Sequence, residues 1–446
     1  MERKIIVAGG GHGGIAAAAI LAQNGYDVTV YEKNSRDKMG LDQRDVFDKK
    51  GLFACGIAMP ARDKYRLKND MTLFNPSRTR RLKQHVPAEQ LEIQMERKEL
   101  YDHIIAHAER CGVKFVYGTE VKAPLMLGGR VAGIKTEDEA VFADLVIDAA
   151  GINSPVRKGL PSASGIQGEP AEGDTFYVWR AGFLKTDFTA EDKYRVYLYF
   201  DGKPQICWVA DDEEYTDVLI GEFKPLKSDE VEKTLERLRE VNPDIGEKLF
   251  RGGDFAEIPV RQPLAVLVAD GYAAIGDSAF MTVPIVGSGI ANSLKAARLL
   301  ADAVMEDKDG LYCADTLWKY QRDFYSQLGR GLAPIAIIKQ MMNRYTCSDI
   351  DTFFEKDILN SDDVTIGADT TSITSFVENI LNAASLKAKF KGILPDRELS
   401  KKVLAMNTRI ATVAAYVRTM PVKYDRKSVC TWARGYAKLF DSDKET

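Results

Sequence analysis

The chain is short of the residues that build metal centres and disulfide frameworks. Its 446 residues include four histidines, and its six cysteines, at positions 55, 111, 207, 313, 347 and 430, form no C-x-x-C pair. Scattered single cysteines argue against a disulfide scaffold or a zinc site and point to reduced thiols in a cytoplasmic setting. His103 and His107 stand i, i+4 as metal ligands can, but no acid joins them in an H-E-x-x-H pattern, so the pair reads as one helix face. No metal is assigned.

Charge of one sign is equally scarce. With 61 basic and 65 acidic residues the formal net charge is -4, which supplies no general attraction to nucleic acid or to an anionic membrane. The basic stretch RTRRLK at 78–83 reads as a solvated face. Long apolar runs are missing too. Residues 5–22 carry no charge, yet five of the eighteen are glycine and His12 is polar, which suits a nucleotide-binding strand and helix better than a membrane span or a signal peptide. At 45% hydrophobic and 28% charged, the composition is that of a globular protein with a substantial core and more than one structural unit.

What is present begins at residue 9, in GGGHGGIAAAAILAQNGYDVTVYEKN. The preceding KIIVA reads as a buried strand, and Gly9, Gly11 and Gly14 then fit G-x-G-x-x-G. Gly9 makes the turn, Gly11 lets the backbone approach a pyrophosphate, and Gly14 lets the helix pack against the strand. The helix start offers free N–H groups and a positive dipole end to phosphate oxygens. Ala18 and Leu21 keep helical spacing, Gly25 stops the helix, and YDVTVYE alternates as a second strand ending at Glu32. Glu32 stands where a ribose-binding acid is expected. A glycine triplet also makes ordinary turns; the agreement of strand, glycines, helix, second strand and acid within one βαβ length selects the dinucleotide reading. His12 and Gly13 within the loop, and Lys33 after the acid, are assigned to the same cofactor site.

The segment MGLDQRDVFDKKGLFACGIAMP is rich in Gly and Asp and reads as a loop excursion. Leu100, Ile104, Ile105 and Ala108 predict a helix, followed by a strand at VKFVYG, hairpin-like strands, and a buried run at LVIDAAG. From about 175 to 260 the pattern is alternating strands with one charged helix around SDEVEKTLERLREV, and beyond 311 it is mostly helical.

Two further segments carry chemistry. In AAIGDSAFMTVPIVGSGI a strand delivers Gly276 and Asp277, Pro284 stiffens the crossing, and Gly287 and Gly289 open a helix near Ile290. An acid there can hold ribityl hydroxyls of a flavin; the alternative is a second ordinary strand-turn-helix unit. In DAAGINSPVRK, Asp148 ends a strand and Gly151 lets the chain turn close to a ligand, ahead of Ser154 and Arg157.

In this order the three segments resemble FAD-dependent oxidoreductases of the superfamily that includes geranylgeranyl reductases and aromatic-ring hydroxylases, across residues 1–330. The resemblance implies an α/β fold, α+β overall. A Rossmann-like FAD-binding domain is built from discontinuous segments 1–174 and 258–310, with room in them for a small part of the substrate sheet, alongside a β-sheet substrate domain at 175–257 and a helical C-terminal region at 311–446. It assigns cofactor contacts to Arg97 in MERKEL, Arg44 in LDQRDV and the backbone at Val121 after YGTE.

The register of Gly287, Gly289, Ile290, Ser293 and Leu294 is similar to that of the reductases. Against the hydroxylase pattern, Asn292 is one place late and Ala296-Ala297 replaces an Asp-Ala pair. A reductase motif, Trp-x-Phe-Pro, is kept only at Trp208, with Ala210-Asp211 in place of Phe-Pro. Cys55-Gly56 resembles a pair the reductases carry near the flavin; the alternative is a small buried hydrophobe. Cys55 and Trp208 are the catalytic candidates. Tyr177, Trp179, Tyr197, Tyr199 and Trp208 line a cavity over the flavin if they share one sheet face, and are ordinary core if they do not.

The activity implied is hydride transfer from reduced flavin to a carbon–carbon double bond of an apolar small molecule. The alternatives are a flavin monooxygenase acting on an aromatic or apolar ring, and a flavin-binding electron-transfer or interaction protein without turnover. No second glycine fingerprint serves a separate nicotinamide domain, so the electron donor is NAD(P)H docking transiently or a reduced electron-carrier protein. An apolar substrate implies a peripheral membrane encounter, which the charge balance neither supports nor excludes.

Overall fold

The computed structural model describes residues 3–342, 344–368, 377–378, 380–382 and 391–441. Its organising element is a six-stranded sheet in the order Val268–Ala269, Tyr272–Ala274, Leu145–Asp148, Lys4–Ala8, Asp27–Glu32, Lys114–Tyr117. All pairings but the one at the Val268–Ala269 edge are parallel. Parallel strands buried on both faces read as unbroken apolar runs, which is why Ile5 to Ala8 and Leu145 to Ile147 are apolar without a break. The strand order reverses at Lys4–Ala8, which pairs with Asp27–Glu32 on one side and Leu145–Asp148 on the other. Such a switch point leaves a crevice beyond the strands' carboxyl ends.

The helix His12–Gln23 fills the space between this sheet and the helices Arg97–Arg110 and Ile290–Glu306. Its residues Gly13 to Leu21 are all buried, so alanine on every side is what the packing needs. Gly25, at φ +87°, turns the chain into the next strand.

A seven-stranded sheet runs Ile245–Pro259, Thr175–Lys185, Tyr215–Glu222, Gln205–Asp211, Tyr194–Leu198, Met71–Phe74, Arg81–Lys83. Residues 71–83 therefore leave the first segment to complete the substrate sheet, through a parallel pairing of Met71–Phe74 with Tyr194–Leu198. The charged helix Ser228–Val241 packs on the opposite face through Val231, Leu235 and Leu238.

The stretch read as a loop excursion is structured. Arg44–Phe47 pairs antiparallel with Ile93–Glu96, and Lys50–Ala54 is a short helix. The alternation in Arg44–Phe47 escapes a hydrophobicity reading because one of its two inward residues is Asp45.

After residue 311 the described elements are helical. Tyr320 Oη donates to the carbonyl of Ala274 at 2.9 Å and Tyr325 Oη to that of Leu264 at 2.8 Å, fastening these helices to the edge of the parallel sheet. Among the described residues no helix is long and apolar enough to cross a membrane.

Candidate active site

One cavity of about 820 Å³ starts at the switch point and continues between the two large sheets to the C-terminal helices. All the positions assigned to the cofactor from sequence line it: the loop from Gly9 to Gly14, Glu32 and Lys33, Arg44, Arg97, Val121, Gly151, and the run from Gly276 through Asp277 and Pro284 to Ile290.

The glycines are there because neighbours leave no room. A Cβ on Gly14 would lie 2.5 Å from Ala149 Cβ and 2.8 Å from Val7 Cγ1, so the helix could not seat on the sheet. On Gly13 it would lie 2.7 Å from the carbonyl oxygen of Ser293, in the helix Ile290–Glu306. That contact brings two helix N-termini side by side. Neither Gly11 nor Gly289 caps its helix with a side chain, and neither first turn holds an acid. Two sets of unpaired N–H groups thus open on one cavity, an arrangement that favours an anionic ligand.

Glu32 braces the same loop. Its two carboxylate oxygens accept from the N–H groups of Gly10 and Asn34, each at 2.8 Å. Asp148 ties the segments DAAGINSPVRK and GDSA together, accepting from Ser154 Oγ at 2.6 Å, Tyr272 Oη at 2.8 Å and Ser278 Oγ at 2.9 Å. Arg157 is fully buried and donates to the carbonyls of Ser278, Gly168 and Ile152. These residues hold the rim in shape, and Gly151, at φ +87°, presents backbone to the cavity with open space beside it.

Arg97 closes a bidentate pair on Asp45, with Nε to Oδ2 at 2.7 Å and Nη2 to Oδ1 at 2.6 Å. Burial opposes the charge on Asp45, yet Arg97 beside it outweighs burial and holds the carboxyl below its ordinary range. Arg44 pairs with Glu96 at 2.6 Å and with Asp212. His12 stacks on Tyr101 with ring centroids 4.3 Å apart, and its Nε2 is buried with no partner. Burial, reinforced by Arg97 and opposed by Asp45, pushes the imidazole down to about 4, so it is neutral near pH 7.

Strand alternation decides which residues of the substrate sheet face the cavity. Phe176, Val178 and Arg180 do, as do Tyr194, Val196 and Leu198, and Ile206 and Trp208. Of the aromatics singled out from sequence, only Trp208 is on this wall. Trp179 and Tyr197 pack in the cluster behind the sheet, where Tyr197 Oη donates to Asn242 at 2.6 Å, and Tyr199 Oη donates to the carbonyl of Met342.

Comparison with known proteins gives a match to the FAD binding domain family over residues 2–323. The chain belongs to that family. Among relatives of this FAD-binding chain, a digeranylgeranylglycerophospholipid reductase of Sulfolobus acidocaldarius is 23% identical over 381 residues, covering 82% of both chains. Two solved structures share the fold. A geranylgeranyl bacteriochlorophyll reductase-like protein of Thermoplasma acidophilum has a TM-score of 0.71 at 20% identity, covering 91% of this chain and all of that one. The myxobacterial chondrochloren halogenase CndH has a TM-score of 0.61 at 17% identity, covering 90% and 99%.

The cavity of the FAD-binding chain fits that cofactor: paired uncapped helix starts suit a diphosphate, and polar side chains open to the cavity stand along its rim. Asp277 is one. Burial raises its carboxyl above the ordinary value, and only Oδ1 is engaged, by Thr282 Oγ1 at 3.0 Å. A folded chain that disfavours the charge of Asp277 is not stabilised by it at neutral pH. Asp277→Ala is therefore expected to weaken FAD about tenfold or more while the melting temperature of the flavin-free chain does not fall. FAD titration and thermal scans of both forms check this.

Cys55 is not brought to the cavity. Its thiol donates to the carbonyl of Leu294 at 2.9 Å, and burial pushes its pKa up to about 12, the environment of an inert packing residue. Sequence reasoning missed Asp45, Tyr101, Arg180, Tyr194 and Asp217, all cavity residues. The nearest local signal is Asp45 itself, an acid at an inward position of a short alternating run.

Proposed function

We propose that this FAD-dependent oxidoreductase is a reductase that saturates a carbon–carbon double bond of an apolar substrate. One observation carries the reading. Beyond the cofactor rim the cavity continues along an apolar sheet wall, Phe176, Val178, Leu198 and Ile206, to Ile338 and Met342 of the helix Arg330–Met342. A wall of that length without a net charge suits a chain-like apolar molecule. The Sulfolobus relative is named for a substrate of this kind, and the register from Gly287 to Leu294 resembles that of the reductases.

When bound and reduced as FADH2, the flavin would supply both a hydride and a proton, the two hydrogens that saturate the bond. The chain's own part is to hold and shield. In this reading the Gly9–Gly14 turn and the start of His12–Gln23 cradle the diphosphate, Glu32 accepts from a ribose hydroxyl, and Val121 offers its backbone near the adenine. Asp277 takes ribityl hydroxyls, and the N–H groups after Gly289 face the ring system. Arg97 and Asp45 wall the site as a locked pair, and the apolar sheet face excludes water from the double bond. The donor is NAD(P)H or a reduced carrier, docking from outside.

A monooxygenase is the second reading, favoured by the polar residues Arg180, Asp217 and Tyr194 on the same wall. The test is anaerobic. Holoprotein reduced with dithionite and freed of excess reductant is mixed with a prenyl alkene, and the flavin band is followed. Reoxidation of the flavin with recovery of the saturated chain is the expected result. Reoxidation only on admitting air, with a hydroxylated product, would replace the reductase reading by the monooxygenase one.

A further inference from the structure

The sheet wall of the cavity is divided. Its apolar part leads toward the C-terminal helices, whereas the part facing Asp45 and Arg97 carries Arg180, Tyr194 and Trp208 on the strands Thr175–Lys185, Tyr194–Leu198 and Gln205–Asp211. The pairing register sets them close. Arg180 and Trp208 both lie opposite Leu219, and Tyr194 lies opposite Ala210, next but one to Trp208. The Arg180 guanidinium sits 5.3 Å from the centroid of the Trp208 ring, and Tyr194 meets that ring edge-on at 5.7 Å.

Each of the three keeps a donor in hand. Arg180 commits Nε and Nη2 to Asp217, with Nε to Oδ1 at 3.0 Å. Among the described residues, Arg180 Nη1, Tyr194 Oη and Trp208 Nε1 make no hydrogen bond, and none of the three is sealed away from the cavity. Three donors left open on one stretch of the wall are placed to meet an acceptor on a ligand that displaces water from them.

The ligand group is an acceptor, and the surrounding charges say that it is neutral. Every cation along this part of the lining already has a carboxylate: Arg180 with Asp217, Arg97 with Asp45, Lys68 with Glu92, Arg44 with Asp212. Among the described residues no positive charge is left over there for a carboxylate or a phosphate. A carbonyl oxygen needs none.

We propose that Arg180, Tyr194 and Trp208 form a recognition site for an uncharged carbonyl oxygen, so that the substrate is an amphiphile with its carbonyl end here and its apolar chain toward Ile338 and Met342. The inference rests on the reading of the cavity as the site for an apolar substrate, and it adds what the polar end of that substrate is.

The test uses oxidised holoprotein and calorimetric titration, with no turnover. The probes are farnesylacetone, the hydrocarbon in which its carbonyl is replaced by methylene, and farnesylacetic acid. The ketone is expected to bind about tenfold more tightly than the hydrocarbon and more tightly than the acid. Tyr194→Phe should bring ketone and hydrocarbon to within about threefold of each other by weakening the ketone alone, and Trp208→Phe repeats the test should the first variant not fold. Equal binding of ketone and hydrocarbon, tightest binding of the acid, no binding of any probe, or an unchanged ketone preference in the variants would each overturn the proposal. Its fate separates from that of the reductase reading. A chain that prefers the ketone but whose reduced flavin no alkene reoxidises keeps the carbonyl site and loses the reductase; one that reduces the hydrocarbon without preferring the ketone does the reverse.

Discussion

Gly11→Val is expected to give a chain that purifies without flavin and whose FAD affinity is at least about a hundredfold weaker, a loss near 3 kcal/mol. The position does not need glycine for its backbone angles, since φ is -65° and ψ 147°, values open to any residue. What it lacks is space. A Cβ would stand 2.9 Å from the carbonyl oxygen of Ala149, a backbone atom at the end of a buried strand that cannot rotate aside. The valine must push the first turn of His12–Gln23 off that strand, and overpacking of this sort costs about 1–3 kcal/mol in the flavin-free chain. It also displaces the N–H groups from the place where a diphosphate would meet them. The flavin-to-protein absorbance ratio of the purified variant is the measurement, and full occupancy would falsify the assignment of this turn to the cofactor.

Removing one half of the Arg97–Asp45 pair is expected to have the largest effect on stability. Arg97→Met leaves a carboxylate that is 6% exposed with neither oxygen's guanidinium partner, and breaking a buried pair in this way costs about 3–5 kcal/mol. The pH dependence identifies the cause. Asp45 is held below its ordinary value in the folded parent, so its contribution is complete above the unfolded value of about 3.9 and is lost as pH falls through the folded one. In the variant, burial without Arg97 raises the carboxyl, and the sign reverses: stability should rise as pH falls from 7 toward 5. Urea unfolding at several pH values checks both. Arg97→Met combined with Asp45→Asn should recover most of the loss at pH 7, because the amide carries no charge to leave unpaired.

The two variants differ in how far their structural basis could be read from the chain. Glycine spacing, an alanine-rich helix and an acid at a strand end are local features, and local chemistry reports them directly: the strand at KIIVA, the helix after Gly11, the strand ending at Glu32 and the helix opening at Ile290 are all found where their periodicity puts them. The reason for Gly11 was only half legible. Its approach to a ligand could be inferred, but the carbonyl of Ala149 that excludes a side chain lies on a strand far along the chain. Arg97 was legible as a residue of the site, whereas its partner was not, because the stretch holding Asp45 has too few apolar residues to show its alternation and its mate in the ladder is Met95.

The cofactor fold is written in local chemistry: apolar runs for buried strands, a glycine turn set between strand and helix with an acid beyond, and helix starts without a capping side chain. What covers the cofactor site follows from long-range packing. Whether Trp179 or Trp208 faces the cavity depends on strand register, for Trp208 stands opposite Leu219 and Leu219 opposite Arg180, which sends Trp179 to the other face. Side chains alternate along a strand with a period of two, so a slip of one residue would exchange the walls. That register is set by pairing across distant segments, and so is the gathering of Arg180, Tyr194 and Trp208 at one place.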